Sequence, residues 1–369
     1  MPSNTDRTSR SPKQAGGSRR PRRLWALIAA VAVLGLTGAT AVPALATSYS
    51  ITDLGNLGYP TARGAAINES GQIAGTSYLA ERVEYNVGCS PRHRPCFVHP
   101  EHPFLWSEGK ITDLGTLGGG LFAEGTAINN LGEVAGFSNL KNGERHAFVF
   151  HNGKITDLGP TGRESRAFAI NDSGVVAGSE SIPGEGHTDA VLFTNGKITD
   201  LGLIPGSGGI FTSPTGINNS NEVVGSGDNR ESMERAWVYR NGQMTDLGTL
   251  GGPQAAASAI NNSGEIVGFA QTSTDADRGF LDRGGKMTDL GNNVFPNAIS
   301  NNGVIVGQGD CGNAFILSGG ICRNLQTLIP AGSGYELQTA IGINNKGQIV
   351  VDASTTGTFQ NHALLLNPN

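Results

Sequence analysis

Positive charge is scarce once the N-terminal segment is set aside. Residues 1–46 hold seven of the 26 Lys and Arg and one of the 31 Asp and Glu, which leaves 19 bases against 30 acids, a balance of −11. Such a surface repels phosphate backbones and anionic lipid, so nucleic acid and membrane surfaces are disfavoured as partners. Also missing are a G-x-S-x-G elbow, an H-E-x-x-H helix, a phosphate-binding loop and an EF-hand loop. No catalytic residue, cofactor or metal is therefore assigned from a single stretch. Helical 3.6-residue periodicity is absent from the apolar runs, which are only five or six residues long.

One long apolar run does occur, LWALIAAVAVLGLTGATAV at Leu24 to Val42, preceded by Arg19, Arg20, Arg22 and Arg23 and followed by Ala44-Leu45-Ala46. A basic leader, an apolar run and an A-x-A end are the pattern of a secretory signal, so residues 1–46 are expected to be a signal peptide and 47–369 a single secreted domain. An uncleaved membrane anchor is the alternative, since a spanning helix needs about 20 apolar residues. General secretory export fits better than the twin-arginine route, because Arg22 and Arg23 sit where that signal wants apolar residues.

Cysteine is sparse, and the four present, Cys89, Cys96, Cys311 and Cys322, permit two disulfides in three connectivities. Cys89 and Cys96 share one loop and are the preferred pair, which leaves Cys311 with Cys322. A regular hairpin would hold that second pair roughly 16–20 Å apart, against a limit of about 7 Å between Cα atoms. Either the hairpin is irregular or the pairing differs.

Glycine is abundant, 55 of 369 residues, about twice the usual ~7%. It recurs with a repeat. ITDLG or a near copy begins at residues 51, 111, 155, 198, 244, 287 and, degraded to CRNLQ, at 322. A period of this length indicates a solenoid, a propeller or an array. The second copy shows four strand signals, ITDLGTL, GTAIN, EVAGF and HAFVFH, and Asn152-Gly153 is a type I′ hairpin signal. Four short antiparallel strands repeated seven times predict an all-β, seven-bladed β-propeller. The residue before the inner-strand Ile is always Ala or Gly (Ala66, Ala127, Ala169, Gly216, Ala259, Ala298, Gly342), as crowding near an axis requires. The chain opens on an outer-type strand and ends on a third-type strand, HALLL, so the N-terminal strand is expected to complete the last blade and close the ring. A solenoid would instead need atypical end caps.

The motifs TDLG at Thr112 to Gly115, AINN at Ala127 to Asn130 and HAF at His146 to Phe148 resemble those of the HAF-repeat family of extracellular proteins, from Ile51 to about Leu366. The resemblance implies export and repeats but no particular reaction.

Within each AINNxG motif, turn chemistry accounts for the second Asn-type residue. The first, at Asn68, Asn129, Asn171, Asn218, Asn261, Ser300 and Asn344, forms a candidate polar ring at one mouth of the channel, tying adjacent turns or holding a small ligand. The Asp of TDLG, one per outer strand, cannot converge to the ~5–10 Å that paired acids need. The long, variable links all fall on the other face, and function is expected there. The largest of these is the first-unit insertion, with Tyr78, Tyr85, Arg92, His93 and Arg94 as candidate binding residues, since exposed aromatic and Arg side chains anchor interfaces. Its Cys89, His93, Cys96, His99 and His102 resemble zinc ligands only in type; a disulfide is the simpler account in an exported chain. Together these features predict a monomeric, secreted, non-catalytic binding or scaffold module for extracellular glycan or protein. The alternative is a glycan-active hydrolase or lyase with residues gathered at the channel mouth.

Overall fold

The computed structural model describes residues 45–85, 96–182, 184, 186–357 and 360–369. The expected leader up to residue 44 and the insertion residues Cys89, Arg92, His93 and Arg94 lie outside them. All strands fall in one compact unit, Val42–Asn369. Among the described residues regular structure is β, apart from the 3-10 turn Leu325–Leu328. No helix among them is long and apolar enough to cross a membrane.

Among the described residues the strands group into seven antiparallel sheets of four, two of which are joined by a parallel contact of Thr188 with Phe211, beside a two-stranded ribbon of Val83–Glu84 and Phe97–Val98. In blade 1 the inner, second, third and outer strands are Gly58–Ile67, Ile73–Leu79, Glu101–Ser107 and Lys110–Asp113. Blade 2 runs Ala123–Ile128, Val134–Asn139, Arg145–His151 and Lys154–Asp157, matching the four strand signals of the repeat. Blades 3, 4, 5 and 6 begin on the inner strands Ser165–Ile170, Gly208–Ile217, Gly251–Ile260 and Val294–Ile299, and blade 7 on Tyr335–Ile343. Blade 7 takes its outer strand, Tyr49–Asp53, from the opposite end of the chain, where Tyr49 pairs with Pro368 and Asp53 with Leu364. The ring therefore closes as the phase of the repeat predicts.

Turn chemistry explains why the blades form. The six chain-connected hairpins from third to outer strand carry positive φ at both central residues, as in Asn152 (50°) and Gly153 (77°) or Asn241 (51°) and Gly242 (80°). That geometry matches the strand twist. The inner-to-second turn needs a left-handed residue at its fourth letter, supplied by glycine in six blades and by Asn221 (φ 60°) in blade 4.

The third-strand letters Ala147 and Phe148 have packing roles. In blade 2, Ala147 and Phe148 are fully buried, and Phe148 lies opposite Gly136 of the second strand. A side chain on Gly136 would collide with the Glu124 carbonyl and the Phe148 ring, so glycine lets the aromatic ring cover the inner ladder. Blade 7 shows the compensated form, with Val351 at the glycine position and the smaller Leu364 opposite it. Apolar clusters then form between blades: Val350, Ala363 and Leu365 of blade 7 pack with Ala62, Ile73 and Phe104 of blade 1. Leu45 and Ala46, assigned by sequence to the leader, pack against the blade 6–7 cluster, and Arg323 donates to the Ala46 carbonyl at 2.8 Å.

Cys311 and Cys322 are disulfide-bonded with Cα atoms 6.2 Å apart, which corrects the straight-hairpin distance of roughly 16–20 Å. The third-to-outer hairpin itself is regular, with Leu317 opposite Cys322; the irregularity lies in the preceding hairpin, whose register slips between Gly307 and Gly309 and whose tip, flanked by Gly309 (φ 151°) and Gly312 (φ 153°), carries Cys311. Cys96 is also disulfide-bonded.

Candidate functional site

The two mouths of the channel differ in how completely their polar groups are used. At the tight-turn mouth, Asn261 Oδ1 accepts from the amides of Ser263 and Glu265, both at 3.0 Å. Its Nδ2 donates to Glu265 Oε2 at 2.7 Å and to the Ser300 carbonyl of the next blade at 3.1 Å. All four bonding positions of this buried amide are filled by protein. Asn68, Asn129, Asn171, Asn218 and Asn344 repeat the link to the next blade. Ser300 cannot, because its hydroxyl reaches only the Val304 amide. The turn chemistry thus belongs to the first Asn. The second Asn-type residue makes its own ring: Asn262 Oδ1 accepts from the Asn219 amide and the Asn262 amide donates to Asn301 Oδ1. That ring closes through Asn345 onto Glu69. It replaces the turn-only account of that position.

Five of the six outer-strand Asp residues, all but Asp200, pair with a His or Arg rather than converging. Asp157 accepts from the Gly159 amide and contacts His146 Nδ1 at 2.9 Å, while Asp246 and Asp289 pair with Arg235 and Arg278. His102 does the same with Asp113. His99 places Nδ1 2.9 Å from the Leu79 carbonyl and its ring 4.2 Å from that of Tyr59.

The long-loop mouth is built differently. Every inner strand slips register one residue before its small Ala or Gly, as between Gly64 and Ala66 or Gly125 and Ala127. These bulges turn side chains into the channel. Thr126 and Thr215 use theirs to bond the next blade's inner strand, at the Ala167 and Ala257 carbonyls. Beside them lies a cavity of about 420 Å³ whose lining includes Arg63, Glu101, Glu124, Asp352, Thr76 and Phe168. Arg63 and Glu124 occupy equivalent inner-strand positions of blades 1 and 2. Glu101 starts the third strand of blade 1, where it meets Phe122 of blade 2. Asp352 reaches across from blade 7 and accepts from the Gly64 amide at 2.9 Å, as Thr76 accepts from the Gly125 amide one blade on.

The electrostatics of this cavity are unresolved within the protein. Burial pushes the Glu101 carboxyl up, the charge of Glu124 adds to that, and Arg63 opposes it. Burial also raises Glu124, against Arg145 and Arg63; the side chain is open to the channel, so water limits the effect. Asp352, boxed between blades, is pushed up to about 6 by burial against the Gly64 amide and Arg63. Arg63 is thus the common counter-charge. Yet among the described residues no hydrogen bond or ion pair holds its guanidinium, nor the carboxylates of Glu101 and Glu124.

Tyr78, a residue singled out by sequence, stands beside this cluster, its phenol pushed up by burial and by Glu101. Its ring lies 6.0 Å from Tyr59, which is 38% exposed. Tyr85 packs edge-on against Phe122 at 5.4 Å. Sequence reasoning missed Arg63, Glu101, Glu124 and Asp352. Aligning the inner strands would have exposed two of them, since blades 1–3 carry Arg63, Glu124 and Arg166 where blades 4–6 carry Ser213, Ala256 and Phe295.

The sequence matches no protein-family model and no curated protein. Among solved structures, the β-propeller domain of the Trilobed protease from Pyrococcus furiosus, described as having an open velcro topology, is similar at 10% identity and TM-score 0.53, covering 88% of this chain and 95% of that one. TolB from Acinetobacter baumannii is similar at 12% identity and TM-score 0.42, covering 72% of this chain; the present chain spans 59% of its length. The BP39L lectin from Burkholderia pseudomallei is similar at 11% identity and TM-score 0.39, covering 88% and 98% of the two chains. At these identities the likeness is one of fold, and the fold is a β-propeller.

Proposed function

We propose that this chain is a secreted, non-catalytic binding module of the HAF-repeat type that captures an extracellular ligand, a glycan in preference to a protein, at the long-loop mouth of its channel. One observation carries the reading. Arg63, Glu101, Glu124 and Asp352 converge on a single cavity, and most of their hydrogen-bonding capacity is unused. A hydroxyl-rich ligand satisfies such planar donors and acceptors together, and pockets of a few hundred Å³ suit one or two sugar rings. At the opposite mouth, by contrast, the first-asparagine amides already bond to protein. The signal-like leader supports export, as does the disulfide Cys311–Cys322, a bond that persists in oxidising surroundings.

The test is a glycan array and a pull-down with the purified protein, beside Arg63→Ala and, as a control on the opposite face, Leu131→Ser. Capture lost in Arg63→Ala and kept in Leu131→Ser is the expected result. Equal capture by both variants removes the site from the long-loop mouth.

A second reading, a glycan-active hydrolase or lyase, is favoured by the upward-shifted Glu101, Glu124 and Asp352 beside Arg63, since displaced carboxyls in a cavity are a mark of acid–base sites. Turnover of a chromogenic glycoside that Glu101→Gln or Glu124→Gln abolishes would establish the enzyme and end the binding-only account.

A further inference from the structure

Resting on the binding reading above, we infer that the channel mouth selects a saccharide carrying a free primary amine, a deacetylated amino sugar within an extracellular glycan. The lining sets three carboxyl groups, Glu101, Glu124 and Asp352, against one guanidinium, Arg63, while a second, Arg145, acts on Glu124 from outside the lining and leaves the acids in excess. An anionic sugar entering there meets net like charge, whereas an ammonium meets its complement. Arg63 narrows the class further. It stands among the carboxyls without a bonded partner, so the ligand must also supply oxygen acceptors on the same compact frame. The hydroxyl and ring oxygens of an amino sugar do this.

An independent feature completes the fit. Tyr78 borders Glu101 and Arg63, and Tyr59 stands beside it with a partly exposed ring that also meets His99 at a tilt. An aromatic face at the rim of a polar cavity receives the C–H face of a sugar while the polar groups below take its substituents. The roles separate: Glu101 and Glu124 hold the ammonium, Arg63 and Asp352 the hydroxyls, and the Tyr59–Tyr78 wall the ring.

Calorimetric titration of the purified protein with a glucosamine tetramer, its N-acetylated counterpart and a galacturonate tetramer tests this. The glucosamine tetramer is expected to bind at least about tenfold more tightly than the other two. Glu101→Gln and Glu124→Gln should each weaken it by about tenfold, the scale of losing one charged hydrogen bond. Two variants guard against one misfolding, and thermal unfolding of each confirms the fold. Affinity should fall towards acid pH, as the carboxyls, raised by burial, take up protons, and towards alkaline pH, as the amine loses its own. Equal or tighter binding of the N-acetylated or galacturonate tetramer, abolished by Arg63→Ala, would overturn the amine selectivity and leave the channel-mouth reading standing. Equal competition by free lysine would overturn the saccharide. No binding of any tetramer would overturn both.

Discussion

His362 Nδ1 lies 2.9 Å from Asp53 Oδ2 across 309 residues of sequence, the same contact that His146 makes with Asp157 across 11. The repeat's outer pair therefore also latches the ring. Asp53 accepts in addition from the Tyr335 hydroxyl at 2.8 Å and the Gly55 amide at 2.9 Å. Asp53→Ala should cost about 1–2 kcal/mol, since it strands three donors at the closing strand. Asp200→Ala, at an outer-strand position where the third-strand partner is Asp189 rather than His or Arg, should cost less than about 1 kcal/mol. Urea unfolding compares the two, and equal midpoints would show that closure gains nothing from the latch.

The first asparagine ring has one open joint. Ser300→Asn would supply the amide that elsewhere donates to the next blade's carbonyl, here that of Asn344, and a cavity of about 270 Å³ beside Ser300 and Asn344 leaves room for it. A gain of about 0.5–1 kcal/mol is expected. Asn261→Ala, which strands the Ser263 and Glu265 amides and the Ser300 carbonyl, should cost about 2–4 kcal/mol. Thermal and chemical unfolding read both, and a destabilised Ser300→Asn would mean the joint is occupied by another arrangement.

Asp352 makes the candidate site unfavourable for folding at neutral pH. Its carboxyl is raised from 3.8 to about 6, so the folded state resists ionisation that the unfolded state accepts. Stability is therefore lost as pH rises from the ordinary value through about 6, the reverse of the usual paired carboxylate. Asp352→Asn, which can still accept from the Gly64 amide, should stabilise by about 1–3 kcal/mol at pH 7.5 and leave stability unchanged below pH 4. Unfolding curves at the two pH values decide it; an equal effect at both would show that titration is not the cause.

Glycine at the second-strand position is a steric requirement. In blade 5 a Cβ on Gly268 would overlap the Ala256 carbonyl and press the Phe280 ring at 2.8 Å. Gly268→Ala should cost more than about 2 kcal/mol. Pairing it with Phe280→Leu, the combination blade 7 approaches with Val351 and Leu364, should recover part of that loss. Additive losses in the double variant would refute the shared-space account.

Much of this molecule is readable from its letters because the responsible physics is local. Asn152-Gly153 turns a hairpin through its own φ preferences, and within each repeat the turn follows the small inner-strand residue, and the outer Asp the hairpin glycine, at a fixed offset. Even ring closure is legible, since the phase of the strands leaves one outer strand missing at one end and one spare at the other. Asn261 and Asn262 were harder. Their letters state turn chemistry, but which one turns its own chain and which reaches the neighbouring blade depends on how blades abut. Cys311 and Cys322 likewise meet although Cys322 pairs with Leu317, because Cys311 sits at the tip of the preceding hairpin, whose irregular course the pattern alone does not give.

The sequence by itself determined the all-β class, the seven units, the closing strand and the face that carries the long loops, because each follows from period, turn type or chain phase. Only the tertiary structure decided where chemistry gathers. Asp352 and the Gly64 amide are 288 residues apart, Glu101 and Glu124 lie on different blades, and Arg63 faces them all across a channel that exists only when the ring is closed. No offset within one repeat encodes that meeting.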